Sequence, residues 1–135
     1  MATNSAPATN VDLVKEAYSN FATGNVPAVL ALFDPAIEWH ECKGMPFVKD
    51  SGIYTGPDAV VQKVFMNLPV FFDGFNIAVT EIFGADDKVV MTGYYQGTNK
   101  ATGIAFKANA THTWTLKNGK VTHFFQAVDT ATINS

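Results

Sequence analysis

The sequence is poor in cysteine, in charge and in long apolar runs, and each shortage excludes a class of protein. Cys42 is the one cysteine among 135 residues, so the chain cannot form an internal disulfide, and a reducing cytoplasm is the expected compartment. The net charge is −3 and no basic run occurs, which argues against a nucleic-acid partner. No apolar run reaches the roughly 18 residues that a membrane span needs, so no membrane contact is expected.

Sequence motifs for common cofactors are also missing. Phosphate loops, nucleophile elbows and dinucleotide fingerprints do not occur, so no cofactor is predicted. His40 and Cys42 share one face of their strand, and with His123 they could suggest a metal, but two ligands on an exposed face are too few to predict a site. Residues 1–10 are small and polar and lack the pattern of a signal peptide, so we expect a flexible tail followed by a single domain over residues 11–135.

Hydrophobic and aromatic residues are abundant. They make up 47% and 13% of the chain, with eleven Phe, four Tyr and two Trp. This content supports a core without disulfides or metals, and it also suits a domain built around a flat or ring-shaped ligand.

Periodicity predicts helices in the first half of the chain and strands in the second, which is the order of an α+β fold. Asn10 is the expected N-cap of the first helix, and Asn118-Gly119 is the strongest hairpin signal. A sheet this long must curl, and helices can cover its concave side. The predicted helices are 11–22, 27–33 and 58–68, and the predicted strands are 37–42, 53–55, 75–83, 88–97, 104–116 and 120–129.

One strand face in the second half carries a histidine among apolar residues. Every second residue of the strand lies on that face, which His112 shares with Ala108, Ala110 and Trp114. A buried imidazole needs hydrogen-bond partners, so His112 is either a satisfied core residue or part of a pocket. The two alanines leave room beside it, which favours the pocket.

Glu41 is a second polar residue on an apolar face, which it shares with Ile37 and Trp39. If the strand continues through it, the carboxylate is buried and becomes a better proton acceptor near neutral pH. If the strand ends at Trp39, Glu41 lies solvated at the rim. In the last strand Phe124 and Gln126 share a face, and Gln126 could orient a ligand. Asp129 could contact the ligand or cap the local backbone.

With these residues in place, the chain from about residue 11 to 130 resembles the SnoaL-like, ketosteroid isomerase-like branch of the nuclear transport factor 2-like superfamily. This resemblance implies a cone-shaped, curved, mostly antiparallel sheet with three N-terminal helices on its concave face. The segments that carry it are Ala17 to Gly24, Ala31 to Phe33, Trp39 to Glu41, Tyr54 to Gly56, Phe72 to Phe75, Val89 to Gly97, and His112 to Val121.

The resemblance also implies roles for single residues. Glu41 falls where ketosteroid isomerases keep their carboxylate base, and their oxyanion tyrosine would fall at Ala17, one residue before Tyr18. Their protonated aspartate would fall near Thr111. SnoaL-like cyclases pair a pocket histidine with an acidic residue fourteen positions later. His112 fits the histidine, and Gln126 stands in the acidic position. The Asp-Arg-Asp set of limonene epoxide hydrolases has no counterpart.

The sequence therefore predicts a proton-transfer enzyme, such as an isomerase or cyclase acting on a carbonyl compound. Glu41 would be the general base, and His112 would polarise a carbonyl or act as an acid. The alternative is a non-catalytic binding or interaction domain. The expected partner is a small hydrophobic organic ligand, and the resemblance implies a homodimer through the convex face with Thr111, Thr113 and Thr115. The expected ligand-binding residues are Trp39, Trp114, Phe124, Gln126, Tyr18 and Asp129.

Overall fold

The structure, a computed structural model, describes residues 9–135, and its first element is helix α1 (Asn10–Ala22). Thr9, not Asn10, caps this helix, because its side chain and that of Asp12 form a reciprocal capping box. Residues 9 and 10 of the expected tail therefore belong to the helix start, and residues 1–8 lie outside the described part of the chain. Val14 and Ala17 are buried and face the sheet side of the helix.

Four long strands make up most of the second half, as the alternation predicts. Each pairs antiparallel with the next along the chain. The predicted turn between the last two is confirmed, since Asn118 and Gly119 have φ angles of 53° and 76°, both positive as a tight hairpin requires. The strands are β3 (Phe72–Ala85), β4 (Lys88–Asn99), β5 (Ile104–Lys117) and β6 (Lys120–Val128).

Two strands from the first half complete the sheet. β1 (Phe33–His40) pairs in parallel with β6 and antiparallel with β2 (Ile53–Thr55), which gives the order β2-β1-β6-β5-β4-β3 over the described residues. This confirms the predicted α+β fold with a curved, mostly antiparallel sheet.

The bounds of β1 differ from the predicted 37–42 at both ends. The strand starts at Phe33, which pairs with Val121 before the register shifts near Pro35. Proline lacks the backbone N–H that a regular ladder needs, so the pairing is interrupted there. The strand ends at His40, and Glu41 therefore follows the strand instead of lying within it.

The helices after α1 are shorter and more numerous than predicted. The second, α2 (Val26–Leu30), ends three residues early, where Phe33 enters the sheet. The single helix predicted over 58–68 is divided into α3 (Pro57–Lys63), a 3₁₀ turn (Phe65–Asn67) and α4 (Leu68–Phe71). Pro69 in the first turn of α4 cannot donate to a preceding helical turn, which prevents one continuous helix.

A fifth helix was not predicted. It is α5 (Thr130–Asn134), which directly follows β6, and its one buried residue is Ile133. Asn99 on β4 donates to the Ile133 carbonyl at 2.9 Å, so the helix is fixed against the sheet. Within residues 9–135, no helix is both long enough and apolar enough to cross a membrane.

Candidate functional site

The concave face of the sheet and the helices above it enclose a cavity of about 50 Å³. Its wall is almost wholly apolar, with helical residues Phe21, Val64 and Leu68 opposite the sheet. The structure brings together most of the site residues predicted from the sequence. Those that line this cavity are Tyr18, Trp39, Glu41, His112, Trp114 and Phe124.

Cross-strand register aligns three of these aromatic residues in one row. Trp39 on β1 pairs with Phe124 on β6, which pairs with Trp114 on β5. The rings of Trp39 and Phe124 stack with centroids 3.7 Å apart, and Trp114 meets Phe124 edge-on at 4.7 Å. These contacts fix the rings in place, so the cavity has a rigid aromatic floor.

Glu41 lies one residue past His40, which pairs with Phe125, and this register brings it opposite Gln126. Its side chain is 7% exposed. The carboxylate oxygen Oε1 accepts from the Trp39 indole at 2.9 Å and from the Gln126 amide at 2.6 Å. Burial raises the pKa of Glu41 to about 7, although the two hydrogen bonds oppose the shift.

The second carboxylate oxygen of Glu41, Oε2, takes part in neither of these two hydrogen bonds, which both fall on Oε1. No fully buried polar side-chain atom in the described part of the chain lacks a partner, so Oε2 must keep some accessible surface. Glu41 also lines the cavity. The carboxylate is thus held by one oxygen and available through the other.

His112 is buried with both ring nitrogens bonded. Its Nδ1 lies 2.7 Å from the Tyr18 hydroxyl and its Nε2 lies 2.5 Å from the Tyr95 hydroxyl. Burial lowers its pKa to about 3, so the ring is neutral. Both nitrogens of this neutral ring are bonded within the protein, and a role for His112 in polarising a carbonyl or acting as an acid stays a prediction.

Tyr95 on β4 was missed by the sequence reasoning. Its hydroxyl is bonded to His112 and also to Gln126 Oε1, at 2.7 Å, and its side chain is 5% exposed. The sequence did place Tyr95 on the buried face of its strand, because it follows Val89 and Met91 at even spacing. By pattern alone a tyrosine on such a face is an ordinary core residue, and only its side-chain hydrogen bond to His112 distinguishes it, since the register pairs Tyr95 with Ala108.

Two predicted ligand-binding residues lie elsewhere. Gln126 is buried behind the wall, where it contacts Glu41 and Tyr95 and does not line the cavity. Asp129 is exposed at the start of α5, and its carboxylate accepts from the Thr132 backbone at 3.2 Å. The expectation that Asp129 binds the ligand is corrected, since β6 ends at Val128 and the residue caps the helix.

Histidines on the opposite face of the sheet form a separate exposed group. His40 lies 2.7 Å from Glu38, and His123 lies 3.8 Å from the same carboxylate. Among residues 9–135, no three side chains of metal-binding type are grouped closely enough to hold an ion.

Comparison with known proteins gives one family and many structures of the same shape. A family model described as SnoaL-like domain matches residues 14–124. An NTF2-like protein from Burkholderia thailandensis E264 is 32% identical, with a TM-score of 0.87 over 94% of this chain and 95% of that one. An NTF2-like protein of unknown function from Burkholderia pseudomallei K96243 is 26% identical, with a TM-score of 0.83 over 93% and 95% of the two chains.

A third similar structure is more distant. TerC, co-crystallised with polyporic acid, is 22% identical, with a TM-score of 0.81 over 93% of this chain and 95% of its own. At that identity the similarity concerns the fold. No curated protein matches the sequence.

Proposed function

This chain belongs to the SnoaL-like domain family, and from that premise we propose that it binds a small hydrophobic organic molecule and transfers a proton on it. The observation that carries the proposal is the state of Glu41. One carboxylate oxygen is anchored by two hydrogen bonds, the other keeps accessible surface, the residue lines an apolar cavity, and the pKa is close to neutral. A general base works best when its pKa lies near the working pH.

The proposed step is removal of a proton from a carbon next to a carbonyl group. Glu41 Oε2 takes the proton, the C–H bond breaks, and its electron pair moves toward the carbonyl oxygen to give an enolate. In a ketone whose enolate is conjugated with a carbon–carbon double bond, returning the proton to the far carbon of that conjugated system shifts the double bond and completes an isomerisation. The atoms balance without a cofactor, because the carboxylate both receives and returns the proton.

Tyr18 is the proposed contact for the ligand's oxygen. Tyr18 lines the cavity, and its hydroxyl accepts from the Trp114 indole at 2.8 Å. A hydroxyl that accepts a hydrogen bond becomes a stronger donor itself. The Tyr18 proton, which otherwise bonds His112, can be shared with a ligand oxygen on which negative charge develops.

The cavity also limits the charge and size of the ligand. No Lys or Arg is among the described residues that line it. An anionic ligand would meet the Glu41 carboxylate in a low-dielectric site with no cation to offset the repulsion. The small, almost wholly apolar cavity therefore favours a compact neutral molecule, and a single-ring ketone is the probe class that we propose.

Ligand binding without turnover is the second candidate. It is favoured by the hydrogen bonds already made inside the protein, since the hydroxyls of Tyr18 and Tyr95 and both nitrogens of His112 are occupied. In that case Glu41 would only accept a hydrogen bond from the ligand.

Hydrogen–deuterium exchange separates the two functions without knowledge of the natural substrate. Compact cyclic ketones are incubated with the protein in D₂O, and loss of the signal from hydrogens next to the carbonyl is followed by NMR. We expect wild type to accelerate exchange of at least one ketone and Glu41→Gln to be about 10²–10⁴-fold slower. A ketone that binds by calorimetry but exchanges at the buffer rate would support the binding function instead.

For assembly and location we propose a homodimer through the convex face of the sheet, working in the cytoplasm. Thr111, Thr113 and Thr115 lie on that face, and Phe125 beside them is 57% exposed. The single cysteine suits a reducing compartment.

A further inference from the structure

Six side chains, five of them buried and one, Tyr18, half-buried, form one continuous hydrogen-bonded chain across the site. It runs from Trp114 through Tyr18, His112 and Tyr95 to Gln126 and ends on Glu41. Every link is between 2.5 and 2.8 Å. Because all members are side chains with known donors and acceptors, the direction of each bond can be worked out.

Both ends of the chain are fixed by groups that act in one way only. An indole N–H can only donate, so Trp114 donates to the Tyr18 oxygen. At the other end an ionised carboxylate can only accept, so Gln126 turns its NH₂ toward Glu41. The amide oxygen of Gln126 must then face the other way, where it needs a donor.

Tyr95 is the donor that Gln126 needs. A hydroxyl has one proton, and if Tyr95 gives it to Gln126 Oε1, its oxygen must accept from His112 Nε2–H. The neutral ring then has a bare Nδ1, which accepts from the Tyr18 hydroxyl. This assignment gives each of the six groups a partner of the right kind, and every bond points toward Glu41.

We infer that Tyr95 is a positioning residue for Glu41, which it holds through Gln126. A primary amide can rotate by half a turn and exchange its oxygen with its NH₂ at almost no cost in shape. The Tyr95 proton prevents this rotation, because an NH₂ group facing the hydroxyl would meet a second donor. The inference uses the proposed function only where it treats Glu41 as the base.

The hydrogen-bonded side chains position Glu41 but do not conduct protons to it. An amide nitrogen does not release its proton under ordinary conditions, so a proton cannot pass from Tyr95 through Gln126. His112 and Tyr18 therefore act on Glu41 only by keeping Tyr95 turned toward Gln126. The proton that Glu41 takes from a ligand must return to the ligand or leave through the cavity.

The test is a titration of Glu41 that requires no substrate. The chain has four glutamates, Glu16, Glu38, Glu41 and Glu81, so carboxyl-¹³C glutamate gives four NMR signals, and Glu41→Gln identifies the one that matters. In Tyr95→Phe the Gln126 amide can rotate, the carboxylate loses a donor, and we expect the Glu41 titration to move up by about one pH unit.

Tyr94→Phe is the matched control, since this neighbouring tyrosine stacks under Lys107 outside the hydrogen-bonded chain. It should leave the Glu41 titration unchanged. A second arm combines Tyr95→Phe with Gln126→Met. If Tyr95 acts through the amide, it has no further effect on Glu41 once the amide is gone. An equal shift in both backgrounds, or no shift in folded Tyr95→Phe, overturns the inference.

Wild type provides a further measurement in case Tyr95→Phe does not fold. The sequence has three glutamines, Gln62, Gln96 and Gln126, so side-chain ¹⁵N glutamine gives three NH₂ groups. The Gln126 NH₂ signals should shift with the Glu41 titration, because that amide faces the carboxylate, while the signals of Gln62 and Gln96 stay in place. Gln126 signals that do not follow the Glu41 titration overturn the inference. Turnover enters neither arm, so failure of the ketone assay and failure of the Tyr95 assignment are separate results.

Discussion

Gln126 donates a hydrogen bond from its side-chain amide to the Glu41 carboxylate at 2.6 Å, so a residue that does not titrate holds the residue that does. The two are 85 positions apart and meet because β1 and β6 pair in parallel. An amide at this place leaves Glu41 as a single carboxylate, with its own protonation equilibrium. An acid there would form a coupled pair instead.

Gln126→Glu therefore makes stability depend on pH in a defined direction. Two carboxyl groups this close cannot both ionise, so the pair keeps a proton and its folded pKa lies above the unfolded value. Stability from such a group is present at low pH and lost as the pH rises through the folded pKa. We expect the free energy of unfolding of the variant to be close to that of wild type at pH 5 and about 3 kcal/mol lower at pH 8.

Urea unfolding at the two pH values measures this difference. Gln62→Glu, which adds the same charge at an exposed position on α3, is the control and should change little at either pH. A deficit for Gln126→Glu that is equal at pH 5 and pH 8 would contradict the shared-proton explanation.

Glu41 and His112 affect stability in opposite directions over the same pH range. The folded pKa of Glu41 is about 7, above its ordinary 4.5, so its contribution is full below pH 4.5 and falls as the pH rises to 7. The folded pKa of His112 is about 3, below its ordinary 6.5, so its contribution is full above pH 6.5 and falls as the pH drops. Between pH 4.5 and 6.5 the two slopes cancel.

Glu41→Gln removes the Glu41 contribution to the pH dependence of the unfolding free energy and leaves that of His112. The difference in unfolding free energy between the variant and wild type should grow in favour of the variant by about 3 kcal/mol from pH 4.5 to 7. Unfolding curves at four pH values measure it, with Glu16→Gln on the exposed face of α1 as the control. A difference that stays constant with pH would mean that Glu41 ionises as easily in the folded protein as in the unfolded chain.

Much of the fold follows from the sequence, and the departures have local causes. Strand alternation located β4, β5 and β6 because each has one buried face, whereas in β3 only the first residue, Phe72, is buried. The errors fall at Pro35 and Pro69, where the missing N–H breaks a ladder or a helix, and at α5, whose five residues carry too little periodicity to read.

Only those features of the site that show in the residue pattern of a single strand could be predicted from the sequence. Glu41 and His112 stood out as polar residues on apolar faces, and both line the cavity. Their connection could not be read from the sequence. It depends on Tyr95, which looks like any core tyrosine, and on the parallel pairing of β1 with β6, which no turn between neighbouring strands specifies.

Trp39→Phe tests how far hydrogen bonds hold down the pKa of Glu41. The substitution removes the indole donor to Oε1 but keeps a ring to stack on Phe124. With one donor lost, the ionised form is less favourable, and we expect the pKa of Glu41 to rise by about one unit. Trp114→Phe removes an indole that donates to Tyr18 instead and should leave that pKa within a few tenths. Equal shifts of the labelled Glu41 signal in the two variants would contradict this prediction.

The homodimer prediction rests on a row of side chains across the convex face. Register places Phe83, Val90, Thr113 and Phe125 side by side, and the two phenylalanines are more than half exposed. We expect light scattering at micromolar concentration to give twice the chain mass for wild type and the single mass for Phe125→Glu. Val70→Glu, at an equally exposed site on α4, should remain dimeric. A monomeric wild type would reject the prediction.

Both tryptophans of the chain, Trp39 and Trp114, lie in the cavity wall. The intrinsic fluorescence of the whole protein therefore originates at the site, with no background from other indoles. Each indole N–H bonds a different member of the site, Glu41 for Trp39 and Tyr18 for Trp114. Ionisation of Glu41 should change the emission of Trp39, while a molecule entering the cavity should displace water from both. The protein thus has a built-in optical probe with which unlabelled compounds can be screened.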